Sequence, residues 1–121
     1  MPNYKIVSVL MLSLIIISAG CTTMSQRQRK KGVEDNLTQA INYFERGFAL
    51  EQNGKADAAM VEYKKAIDLS PRPVVYYHLG LIYAAKAELP TAIANFEKAI
   101  ALAPTYEAAI KEHDRIKSSL P

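Results

Sequence analysis

Hydrophobic and polar positions divide the chain into three stretches. Residues 6–17 carry no charge and are aliphatic apart from Ser8 and Ser13, residues 22–32 are polar and basic, and from residue 33 onward apolar side chains recur three and four apart. The last pattern is that of amphipathic helices, because residues so spaced share one face of a 3.6-residue turn. It predicts a helix over 33–53 with Leu37, Ile41, Phe44 and Phe48 on its apolar face, Asp35 or Asn36 as its cap and Gly54 as its stop. A second helix runs from about 56 to 69 and is ended by Pro71 and Pro73. Two more, over about 73–87 and 90–103, each open on a proline, whose missing N–H costs nothing in a first turn. Pro104 closes the latter, and Thr105 is placed to cap a fifth helix over 106–119. The only β-prone run, Val74-Val75-Tyr76-Tyr77, lies inside the helical period, so the predicted fold class is all-α.

The helical part repeats itself. At an offset of 33 residues, Tyr43, Gly47, Ala59, Tyr63, Ala66 and Pro71 return as Tyr76, Gly80, Ala92, Phe96, Ala99 and Pro104. A period of this length marks a solenoid of antiparallel helix pairs, each of which buries its apolar face only against a neighbouring unit. Glycine in mid-helix costs about 1 kcal/mol relative to alanine, so its presence at both Gly47 and Gly80 calls for a packing reason. Close approach to a small residue on the partner helix, Ala59 or Ala92, is the expectation.

These residues resemble the tetratricopeptide repeat family, whose motif is an aromatic, Leu-Gly and Tyr on the first helix, then Ala, an aromatic and Ala on the second, then Pro. Tyr76, Leu79-Gly80, Tyr83, Ala92, Phe96, Ala99 and Pro104 fill every place in a repeat over about 73–106. Tyr43, Gly47, Leu50, Ala59, Tyr63, Ala66 and Pro71 fill most of them over about 40–72, with Arg46 where Leu is expected. An end position in the array lets that charge reach water. The resemblance implies two repeats plus a carboxy-terminal capping helix at 106–119, a minimal array, since three repeats are the usual threshold for stability. It also implies a concave groove built from one face of each first helix. By the motif's register that face is Ile41, Phe44, Phe48, Glu51 and Gln52, then Val74, Tyr77, Leu81, Ala84 and Ala85. Its apolar members make it an expected site for a partner's amphipathic helix or extended peptide, with self-association or cover by the chain's own fifth helix as the alternatives.

The uncharged stretch changes the picture of where the protein resides. Residues 1–20 have the form of a secretory signal peptide: a lone Lys5, an apolar run too short for a comfortable membrane span, then Ser18, Ala19 and Gly20. The sole cysteine, Cys21, follows at once, and the tetrad resembles the bacterial lipobox, in which that cysteine becomes the acylated first residue. Two or more acyl chains hold a protein stably on a bilayer. The rival readings are an uncleaved anchor and a leftover free thiol. Thr22 stands where an Asp would signal inner-membrane retention, so in a Gram-negative cell the resemblance implies the periplasmic face of the outer membrane. The domain organisation expected is thus a signal peptide over 1–20, a lipidated cysteine with a flexible basic tether over 21–32, and the repeat domain over 33–121.

Charge and chemistry narrow the function. The net charge of +3 comes from the leader and tether, because residues 33–121 hold ten basic and 12 acidic side chains, a balance of −2. That is no nucleic-acid footprint. The basic residues Arg27, Arg29, Lys30 and Lys31 either meet lipid headgroups or are simply solvated. His78 and His113 lie 35 residues apart without a metal-ligand pattern, and no glycine-rich phosphate loop or nucleophile-base pair is present. No cofactor, metal or catalytic residue is expected. The expectation is a non-enzymatic, membrane-tethered adaptor or assembly factor of the cell envelope that binds another envelope protein or peptide.

Overall fold

The structure, a computed structural model, describes the backbone from residue 4 and the side-chain surroundings from residue 24 to the carboxy terminus. The stretch expected to be a signal peptide and the expected lipidation site, Cys21, therefore lie outside the residues whose side chains are described. The described residues form five helices and no strand: α1 (Tyr4–Gln52), α2 (Ala56–Leu69), α3 (Pro73–Ala85), α4 (Leu89–Leu102) and α5 (Glu107–Ser119). Contacts divide the chain into two units, Met1–Asp35 and Asn36–Pro121.

In the first unit, residues 24–32 are helical and exposed rather than an irregular tether; Asp35, the unit's last residue, and Asn36, the first of the second unit, are interior helical positions rather than caps. The reason is composition. Gln, Arg and Lys are good helix formers, and only Gly32 opposes them, at about 1 kcal/mol. A run of like charge reads as a linker, yet nothing in it breaks a helix.

The second unit is a stack of helix pairs. Each mid-helix glycine makes room for an aromatic ring on the returning helix, not for an alanine side chain. A β-carbon on Gly47 would lie 2.7 Å from Cδ1 and Cε1 of Tyr63, and one on Gly80 would lie 2.6 Å from Cε1 of Phe96. Both rings are fully buried. Ala59 contributes its carbonyl, which would stand 3.3 Å from a Gly47 β-carbon, so the small residue helps the approach without being the partner. The turns that reverse the chain are also equivalent. Gly54 (φ 73) and Ala87 (φ 60) both adopt left-handed backbone. Each turn closes with the same pair of bonds: Gly54 N–H to Glu51 and Lys55 N–H to Leu50, then Ala87 N–H to Ala84 and Glu88 N–H to Tyr83. This is the Schellman arrangement that satisfies the last carbonyls of a helix.

Helix α3 is the centre of the stack. Val75, Leu79 and Ile82 face the cluster of Ala59, Met60, Tyr63 and Ala66 on α2. Tyr76, Tyr77, Leu81 and Ala84 pack instead with Ala92, Phe96 and Ala99 of α4 and with Ala109 and Ile116 of α5. Helix α5 thus buries the side of the second repeat that a third would cover. At the other end Arg46 is 61% exposed by side chain and pairs with Glu62 at 3.3 Å. Its guanidinium lies 4.5 Å from the centre of the Tyr43 ring. The equivalent Leu79 is buried, so the charge sits where no preceding repeat requires burial. Tyr106 rather than Thr105 precedes α5, and no side chain caps that helix.

Candidate functional site

The predicted groove residues come from α1 and α3, and the structure joins the larger ones into a row of rings. Phe48 and Phe44, one turn apart, stack at 6.2 Å between centroids. Phe44 lies 5.7 Å from Tyr63 and 5.6 Å from His78, and Phe48 meets His78 edge-on at 5.5 Å. Beyond His78 the row continues to Tyr77 at 5.5 Å, and from Tyr77 to Phe96 and Tyr106 at 6.0 and 5.4 Å. Edge-to-face contacts at such distances contribute beyond the area they bury. The row crosses from the first repeat to the second and ends at the entrance to α5.

One carboxylate fixes its centre. Glu51 Oε2 accepts a hydrogen bond of 2.5 Å from the Tyr63 hydroxyl and stands 2.9 Å from His78 Nδ1. Three helices therefore meet on one oxygen: Glu51 from α1, Tyr63 from α2 and His78 from α3. Burial pushes the Tyr63 hydroxyl far above the ordinary tyrosine range, with the hydrogen bond to Glu51 and that group's negative charge adding to the shift. Burial, and then the neighbouring Tyr77, also push the Tyr106 hydroxyl up. Both environments favour the protonated phenol, and that of Tyr63 is the donor to Glu51. Away from this centre, the Lys86 ammonium hydrogen-bonds Asp57, tying the end of α3 to the first turn of α2.

The remaining groove residues differ in how open they are. Phe48 is 42% exposed, and Gln52 and Ala85 are exposed as well. Ile41, Phe44, Glu51, Val74, Tyr77, Leu81 and Ala84 are half-buried. Val74 packs into the α2–α3 core and also lines an open cleft of about 340 Å³ with Pro73, Ala103 and Tyr106. Leu37, one turn before Ile41, is 42% exposed too. The first repeat thus offers the open apolar end of the groove. The second repeat's share is largely taken up by contact with α4 and α5.

Residues 40–73 and 74–111 each match the family described as tetratricopeptide repeat. The chain belongs to the tetratricopeptide repeat family. The two matched segments cover more than half of its length, and the five helices fit two repeats plus a capping helix. No curated protein matches the chain. Tetratricopeptide repeats bind protein partners, and as a member of that family the chain is of a scaffold or adaptor kind. Among the described residues no three His, Cys, Asp or Glu side chains come together as a metal site would need.

Sequence reasoning gave His78 no part in this site. In the tetratricopeptide repeat register it lies beside Tyr77, and what draws it inward is Glu51, 27 residues earlier. The available signal was a departure between repeats. Glu51 and Tyr63 are both polar where the second repeat has Ala84 and Phe96, and a carboxylate and a phenol that appear together at facing positions imply a shared bond.

Proposed function

We propose that this protein is a non-enzymatic adaptor or assembly factor of the bacterial cell envelope, held on a membrane through Cys21 and capturing a partner's helix or peptide against the α1 side of its groove. The observation that carries the binding site is Phe48: a phenylalanine 42% open to water, braced from beneath by Phe44 and His78. Aromatic side chains fixed in this way are anchors that bind without a further loss of side-chain freedom. Membrane placement draws on the uncharged stretch over 6–17 and the small residues that lead into the lone cysteine. Location at the periplasmic face of the outer membrane follows from Thr22 if the host is Gram-negative.

The test is cross-linking and recovery of partners from membranes with wild-type and Phe48→Asp protein. The ring lies outside the buried core, so helicity should be kept and melting lowered only by the loss of the Phe44 and His78 contacts, while capture falls at least tenfold, the loss of about 1.4 kcal/mol or more expected of an anchor. Capture that survives the substitution would reject the groove. A protein that self-associates through the same stripe would instead show concentration-dependent sedimentation abolished by Phe48→Asp. Replacing Cys21 with Ser should release the protein from membranes and end acyl labelling.

A further inference from the structure

The helical stretch ahead of the repeats carries a charge pattern that the adaptor role does not use. Arg27, Arg29, Lys30 and Lys31 fall within five consecutive residues, and all four are exposed. Arg27, Lys30 and Lys31 lie three and four apart on one helical face. Met24, three residues before Arg27 and seven before Lys31, shares that face and is 73% exposed. An apolar side chain flanked by cations is the composition of a surface that lies against lipid headgroups, the methionine entering the acyl boundary and the ammonium and guanidinium groups meeting phosphates.

The order of charges along the helix points the same way. The cations come first after Cys21, and the acids Glu34 and Asp35 follow them, Glu34 lying three residues beyond Lys31. The positive groups are therefore those nearest the bilayer whether the uncharged stretch is retained or Cys21 is acylated.

We propose that residues 24–31 form a headgroup-binding collar that docks this helical segment on anionic phospholipid. The occupant is an anionic lipid surface, and the inference rests on the membrane placement proposed above. With each cation near such a surface worth roughly a factor of five, four of them favour the docked over the free segment by on the order of a hundredfold to a thousandfold.

The chain has no tryptophan, so Met24→Trp in the full-length lipidated protein places a single reporter on this face. The protein is reconstituted in vesicles of phosphatidylcholine alone or with phosphatidylglycerol, and flotation reports anchoring separately from emission. Blue-shifted emission and protection from a soluble quencher are expected only with phosphatidylglycerol. Both should be reversed by high salt and lost when the four cations are replaced by Gln, which keeps helix propensity. Equal emission in the two lipids with the protein still floating overturns the collar and leaves anchoring intact. Failure to float with either lipid overturns the membrane placement and the collar with it. Equal protection by soluble polyglutamate without vesicles overturns lipid as the occupant.

Discussion

In the first repeat the ring beneath the mid-helix glycine belongs to Tyr63, and Glu51 meets its hydroxyl from the first helix. In the second, the same two places hold Phe96 and Ala84, which pack without any polar atom. The backbone around them is alike, down to the left-handed turn residue and the paired turn bonds. The difference is thus a matched exchange. A buried phenol needs an acceptor, and a carboxylate there needs donors, so the two residues differ together or not at all. The polar version reaches beyond its own repeat to His78, and the apolar version is closed off by Tyr106 and α5. One repeat is specialised for joining its neighbour and presenting Phe48; the other is specialised for being the core.

The shared part of the design should be the easiest to break. Gly80→Ala would drive a β-carbon into the buried Phe96 ring. Overpacking should outweigh the gain in helix propensity and lower stability by about 2 kcal/mol in urea titration. Gly47→Ala should behave alike, because Tyr63 is equally buried.

The matched exchange can be tested by completing it. Glu51→Ala alone strands the Tyr63 hydroxyl and should cost about 1.5 kcal/mol. The double change Glu51→Ala with Tyr63→Phe gives the first repeat the second's pair, and should recover a substantial part of that loss, with a coupling on the order of 1 kcal/mol. Strict additivity in this cycle would contradict the account of the two repeats.

Alkaline melting separates the repeats by their phenols. The Tyr63 pKa is raised on folding by burial and then by Glu51, so the folded state favours the protonated phenol. Its contribution is complete below the unfolded tyrosine value near pH 10 and is lost progressively above it. The melting temperature should fall as pH rises past about 10, less steeply in Tyr63→Phe, with Tyr106 supplying a remaining share. The smallest effect concerns the turns: Ala87→Gly gives the second turn the residue the first already has as Gly54. Relief of the left-handed strain, partly offset by glycine's greater freedom when unfolded, should raise stability by about 0.5 kcal/mol in thermal melts.

Most of the repeat fold was legible because its signals are local or periodic. The offset match located both helix pairs, Pro73 marked the start of α3, and Gly54 marked the turn after α1. Arg46 in a leucine position pointed to the open end, where its guanidinium lies over Tyr43. What escaped depended on side chains meeting across sequence distance. The glycines opened space for rings whose depth no spacing rule specifies, and Tyr77 turned toward Phe96 and Tyr106 as well as the groove. His78 was drawn in by a carboxylate on another repeat. The helix over 24–32 was missed for a different reason: its charges suggested solvation, and solvation does not oppose a helix made of Gln, Arg and Lys.

The bond from Glu51 to His78 gives the array a direction. The second unit has Ala84 in the place of Glu51, and in α5 the place of His78 is held by Lys111. Units could not be shuffled freely: a second unit placed first would send no bond forward, and a first unit placed second would address a lysine instead of an imidazole. Two units alike in backbone thus have a head and a tail.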